Sequence, residues 1–123
     1  MANDYDATAK NVMLDALGAV AVRVAAHTGD PGAANQADNE VSGGSPAYAR
    51  KAIAWSAASA GSAAQNGDVV IDIPASTTVS WLSLWNSAGT VRYLKKDVTN
   101  EAFGAQGTYT VLASGGALDL NDA

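Results

Sequence analysis

Between two apolar stretches lies a row of turn instructions: His27-Thr28-Gly29-Asp30-Pro31-Gly32, then Asn39-Glu40-Val41-Ser42-Gly43-Gly44-Ser45-Pro46-Ala47-Tyr48-Ala49-Arg50. Asp30 offers a side-chain acceptor, Pro31 fixes one φ, and Gly32 tolerates a positive one. Gly43-Gly44 repeats the punctuation before an apolar run begins at Ala47. Residues 28–46 show neither a helical nor a strand period, so they read as one long loop. Such a loop has no regular apolar face to bury. It is expected to add little to the core.

The flanking segments point to a mainly β, single-domain fold over residues 1–123. The expected architecture is an antiparallel β-sandwich or barrel-like sheet with one N-terminal α-helix. The helix is expected over 4–18, capped by Asp4 or Asp6 and stopped by Gly18, with the β-rich body over 19–123. Ala9, Met13, Ala16, Leu17 and Val20 form an apolar stripe expected to face the body, with Lys10, Asn11 and Asp15 pointing away. Alternation then suggests strands at Val20–Val24, Ala47–Ala57 and Val69–Ile73, the last ended by Pro74. Thr77–Asn86 is apolar on both faces, as a central strand would be. Val79, Trp81 and Trp85 face one way, Leu82 and Leu84 the other. Further strands are expected at Thr90–Lys96, Tyr109–Leu112 and Ala117–Leu120, with a turn at Ser87-Ala88-Gly89. Ser56–Gly67 reads as a flexible, low-complexity connection, although its alanines are also compatible with helix.

Composition narrows the function classes. The 123 residues are enough to bury roughly two-thirds of the unfolded surface. Of the 48% hydrophobic residues, 27 are alanines, so the large apolar side chains are concentrated in a few segments. Charge is sparse at 15% and net negative at −5, a balance that argues against phosphate-backbone binding, which needs clustered Lys and Arg, and against a basic membrane-surface helix. No run is long enough to span a bilayer, and the acidic N-terminus does not read as a signal peptide. Without cysteine, disulfides and thiolate metal sites are excluded, which suits assembly in a reducing cytoplasm.

Few residues invite chemistry, and each has a plainer reading. His27, the only histidine, lacks an evident nucleophile and reads as a hydrogen-bonding residue at a strand end. Ser42–Pro46 lacks the Lys-Ser/Thr ending of a phosphate loop and does not fit Gly-x-Ser-x-Gly. Asp30, Asp38, Asn39 and Glu40 carry oxygens a calcium ion could take, but in no EF-hand spacing. Turn-capping in a solvated loop explains them as well, and no cofactor is expected. Trp55, Trp81 and Trp85 are a conceivable sugar platform, though their apolar setting favours the core. Arg50 suits either an ion pair fastening the loop through Glu40 or, with Tyr48, a contact between subunits. Arg92, Lys95 and Lys96 concentrate three of seven basic residues in one strand. Strict alternation would put Arg92 and Lys96 on one face and Lys95 on the other. Asp30, Glu40, Tyr48, Arg50, Arg92, Lys95 and Lys96 are therefore the candidate interface residues.

The HTGDPG and NEVSGGSPAYAR strings resemble those of a family of small tailed-phage virion proteins described as head-decoration, head-fibre or tail-fibre components. The resemblance extends to Leu14-Asp15-Ala16-Leu17, Ile53–Ala58, the Pro74–Val79 run, Trp81–Asn86, Glu101-Ala102-Phe103 and Gly107–Val111. It departs from the family at Ala26, where leucine is common, and at Val91–Lys96, where a Gly-Gly turn and a small apolar strand are common. The resemblance implies a non-enzymatic virion protein. Its expected role is capsid decoration, bound to the major capsid protein and to copies of itself as a homo-oligomer, without nucleic acid or membrane. The alternatives are a tail-fibre or minor tail component, or a module binding host-surface glycans.

Overall fold

The computed structural model describes residues 5–113 and 117–119. Helix α1 (Ala7–Val20) is followed by eight strands: β1 (Arg23–His27), β2 (Lys51–Ala52), β3 (Ser62–Ala64), β4 (Val69–Ile73), β5 (Thr77–Trp85), β6 (Arg92–Phe103), β7 (Gly107–Val111) and β8 (Ala117–Asp119). Four of them form an antiparallel sheet in the order β2-β1-β5-β6, while β4 pairs with β7 and β3 with β8. The mainly β antiparallel class with one N-terminal helix is as the sequence reading has it.

The register of β1 on β5 sorts the central sheet into two faces. Val24 opposes Leu84 and Ala26 opposes Leu82; Arg23 opposes Trp85, Ala25 opposes Ser83, and His27 opposes Trp81. Side chains alternate across a strand, so Val24, Ala26, Leu82 and Leu84 share one face and His27, Trp81, Ser83 and Trp85 the other. The first face closes on Val69, Ile71 and Ile73 of β4, where both isoleucines are fully buried. The second lies against the 28–46 loop. Cover on both sides explains why four of the five β1 residues are buried.

Several boundaries differ from the sequence reading. The helix runs through Val20, with Asp6 at the N-cap position but no side-chain cap bond. Gly18 sits inside it because a Cβ there would come within 3.3 Å of the Trp55 Cβ, so glycine admits the tryptophan rather than ending the helix. The helix also docks rotated from the expected stripe, of which Leu17 packs against the core. Leu14 is its one buried residue, Asp15 Oδ1 accepts the Ala58 N–H at 2.8 Å, and Asn11 Oδ1 accepts that of Gly61 at 3.0 Å. Meanwhile Val12, Met13, Ala16 and Val20 are exposed. Periodicity located a stripe, but hydrogen bonds to otherwise unpaired loop amides decide which side faces inward.

Of the expected 47–57 strand, only Lys51–Ala52 pairs as a ladder, and Trp55 bridges to Gln65. The 56–67 segment contains β3, whose Ser and Ala side chains gave no period to read. Strand β6 runs seven residues past Lys96. In its far half only Val98 and Phe103 pack against the core, five residues apart, so no alternation marks it. The expected Ala117–Leu120 strand is observed as β8 over Ala117–Asp119; Leu120 and the Asp4 cap lie outside the described residues.

Candidate functional site

The loop instructions become a polar clamp over one face of the central sheet. Gly32 N–H donates to Asp30 Oδ1 at 2.9 Å, closing the turn that Asp30-Pro31-Gly32 encodes. Gly32 has φ +100°, and a Cβ there would meet the Gln36 and Asp38 side chains at 2.5 and 2.7 Å. The positive φ favours glycine at that position, since the two side-chain ends could move aside. Pro31 is fully buried. The loop folds back along β1: Thr28 N–H donates to Asn39 O at 2.8 Å, Glu40 bridges to His27, and Val41 N–H donates to Ala26 O at 3.0 Å. The loop is thus part of the folded body, contrary to the expectation that it would add little to the core. Its backbone amides and Pro31 do what a periodic apolar face would otherwise do.

At the centre of this face runs a relay of hydrogen bonds. His27 Nδ1 lies 2.9 Å from Asp38 O, and Nε2 lies 2.7 Å from Ser83 Oγ. Trp85 Nε1 lies 2.7 Å from the same hydroxyl. Trp85 N–H can only donate and a carbonyl can only accept. The chain therefore runs Trp85 N–H to Ser83 O, Ser83 O–H to His27 Nε2, and His27 Nδ1–H to Asp38 O. The carbonyl requires the proton on Nδ1, and burial, which favours the neutral ring, leaves Nε2 to accept from Ser83. Burial pushes the His27 pKa down, overcoming the opposing pull of Asp38 O and Glu40. His27 is 0% and Ser83 1% exposed, so this Ser-His pair is sealed from any substrate. Ser83 escaped the sequence reading; its signal is a single hydroxyl between Trp81-Leu82 and Leu84-Trp85.

Glu40 joins three neighbours. Arg50 donates Nε to its Oε2 and a terminal nitrogen to its Oε1, both at 2.9 Å, and Tyr48 OH donates to Oε2 at 2.7 Å. The Tyr48 oxygen accepts the Ala26 N–H at 3.0 Å, tying the loop's far end to β1. Above this fork the Arg50 guanidinium lies 4.0 Å from the centre of the Trp85 ring, a geometry favourable for cation–π attraction. Burial would raise the Glu40 pKa, but the Arg50 and Tyr48 hydrogen bonds hold it below its ordinary value. Burial, then the Glu40 carboxylate, push Tyr48 upward. The same hydrogen bond raises Arg50.

The basic strand completes the clamp. β6 carries an irregularity against β5, since Leu84 opposes Leu94 while Trp85 opposes Arg92. One extra residue resets the alternation. The expected split of Arg92 and Lys96 from Lys95 is thereby overturned. Arg92 donates to Gln36 O and Gly32 O at 2.6 and 2.9 Å, and Lys95 donates to Asp30 Oδ1 and Gly32 O at 2.8 and 3.1 Å. The Lys95 hydrogen bond holds the Asp30 pKa below its ordinary value. Lys96 lies apart, bordering a groove of about 260 Å³ with Leu82, Leu94, Val98 and Tyr109. Gln65 also lines that groove, and its Oε1 is buried without a partner.

Six of the seven candidate interface residues, Asp30, Glu40, Tyr48, Arg50, Arg92 and Lys95, are thus brought together in the clamp, and Lys96 is not. Among the described residues no group of three or more acidic or histidine side chains is placed to hold a metal; Asp30 and Glu40 are paired with Lys95 and Arg50 instead. The three tryptophans do not share a surface. Trp85 is 2% exposed under Arg50, Trp55 donates Nε1–H to Ala21 O at 3.0 Å, and Trp81 is half-buried with the Lys95 ammonium 5.6 Å from its ring centre.

The polar groups of the clamp are thus paired with one another and with the loop backbone. The model of a protein family described as Podophage GP4 fiber I protein gp80 matches residues 5–117, so the chain belongs to that family of phage fibre proteins. It is a structural component of a phage particle. No curated protein and no solved structure matches it.

Proposed function

We propose that this chain is a structural subunit of a tail-associated fibre, acting through subunit contacts rather than catalysis. The family match over residues 5–117 carries the reading and favours a fibre over the decorated capsid surface expected from sequence. The clamp supports a non-enzymatic role, because its charged and hydrogen-bonding groups already satisfy one another. A subunit repeated in an extended assembly needs a domain that keeps its shape under load, and a loop pinned at both ends supplies that.

Immunogold labelling of intact particles with antibody to this chain tests the location. Label confined to fibres at the tail is the expected result. Label spread evenly over the head would return the protein to capsid decoration and overturn the proposal.

A further inference from the structure

Asn66-Gly67 is the one Asn-Gly pair in the sequence, and it lies in the turn that joins β3 to β4. Both residues are exposed. Gly67 has φ +85°, and a Cβ built on it would meet nothing within 4 Å. The backbone is held on either side of the peptide bond between them. Asn66 N–H donates to Ala54 O at 2.8 Å, and Gly67 O accepts Gln65 Nε2 at 2.9 Å. Between those anchors, the Asn66 carboxamide and the Gly67 N–H have no hydrogen-bond partner among the described residues. The other described asparagines differ. Asn11 and Asn35 accept the Gly61 and Arg92 N–H groups, Asn39 donates to Asp30 O, and Asn86 accepts the Thr90 and Val91 amides. Asn100 lies inside β6 and is followed by Glu101.

We propose that Asn66 is a modification site, at which the folded chain deamidates itself without an enzyme. An untied carboxamide followed by an unhindered amide nitrogen is what that reaction needs. Hydroxide removes the Gly67 amide proton, and the nitrogen attacks Asn66 Cγ. The new N–C bond closes a five-membered succinimide as the Cγ–Nδ2 bond breaks, and ammonia leaves with a proton from solvent. Water then opens the ring. Cleavage at Cγ leaves aspartate; cleavage at the main-chain carbonyl leaves isoaspartate, with the chain running through the former side chain. Nothing is oxidised or reduced, and solvent is the only co-reactant. Glycine matters because a side chain on residue 67 would crowd the attacking nitrogen, and because its backbone freedom admits the ring-closing geometry. Either product adds a negative charge beside Asp68, whose Oδ1 accepts the Ala113 N–H at 2.8 Å. Isoaspartate also adds one backbone atom between Gln65 and Gly67. Gln65 Nε2 donates to Gly67 O and to Val111 O of β7 at 2.9 and 2.8 Å. The longer turn therefore shifts Gly67 O against the donor that also holds β7.

Peptide mapping by mass spectrometry of the full chain, aged in mildly alkaline buffer both folded and in urea, tests the proposal. In the folded protein Asn66 should convert several-fold faster than any other asparagine, and about as fast as it does in urea. The rate should rise with pH, because the Gly67 nitrogen must lose its proton. Isoaspartyl methyltransferase should label the aged protein at this position, and Asn66→Ser should abolish that label. Gly67→Ala should slow conversion several-fold. The isoaspartyl form should melt below Asn66→Asp, which carries the charge without the extra backbone atom. Conversion at Asn66 in urea but not in the folded protein, or no faster than at Asn86 or Asn100, would overturn the proposal. So would an aged protein without isoaspartate, or an isoaspartyl form as stable as Asn66→Asp.

Discussion

On one side of the β2-β1-β5-β6 sheet, Val24, Ala26 and Leu84 meet Val69, Ile71 and Ile73, with Gln65 the buried polar side chain at the edge of that apolar cluster. On the other, His27, Ser83 and Trp85 lie beneath a loop held by Arg50, Arg92, Lys95 and the backbone. Both sides exclude water, but by different means. The first depends on area and packing density, which vary little with pH or salt. The second depends on each donor finding an acceptor, so its stability responds to protonation and to loss of a single partner. A loop without apolar periodicity can therefore close a core as completely as a strand can.

The largest effects should come from removing the central side chain of either face. Trp85→Ala should destabilise the domain by about 3–5 kcal/mol in urea unfolding, and Ile71→Ala by about 2–5 kcal/mol. A change below about 1 kcal/mol for Trp85→Ala would mean that the clamp face is not a core at all.

Glu40→Ala strips Arg50 and Tyr48 of their shared acceptor while leaving both half-buried. A loss of about 2–3 kcal/mol is expected, because the orphaned partners remain desolvated. The double variant Glu40→Ala/Arg50→Ala should lose less than the sum of the two single changes, and a double-mutant cycle reads the difference. Strict additivity would mean that the fork contributes nothing as a unit.

His27 supplies a smaller effect confined to one pH window. Its native pKa lies below its ordinary value, so below about pH 6.5 the unfolded chain takes up a proton that the native state refuses. Stability should be fully present above that pH. It should fall on acidification until the native pKa is passed, then level off. Glu40 and Asp30, held below their ordinary values, add a second loss at lower pH, as their carboxylates protonate. Melting curves of His27→Gln should lack the first step and keep the second. The smallest effect belongs to Lys95→Ala, whose partner Asp30 is exposed. Its melting temperature should barely move, and salt should not change that.

Sequence legibility followed the physics of each element. β4 and β5 were legible because burial imposes alternation or an unbroken apolar run. The Asp30–Gly32 turn was legible because its three residues have few other uses. β3 and the distal half of β6 were not, since Ser and Ala in one and exposure in the other erase any period. Helix α1 was located, but its inward face was misassigned, because Asn11 and Asp15 bond to loop amides that sequence spacing does not reveal. The clamp's residues were named singly as an interface. That they converge depends on the β6 irregularity and on Ser83, which only the assembled sheet brings into view.

The most direct test of the account is native-state hydrogen exchange at the loop's anchor amides. Thr28, Asp38 and Val41 donate to Asn39 O, Pro31 O and Ala26 O, and the Ala26 amide donates to Tyr48. If the clamp is part of the cooperative core, these four should exchange only through global unfolding, with the same opening free energy as Leu84 in β5. Fast exchange at Thr28, Asp38 and Val41 beside a protected Leu84 would show that the loop opens independently, and would contradict the account.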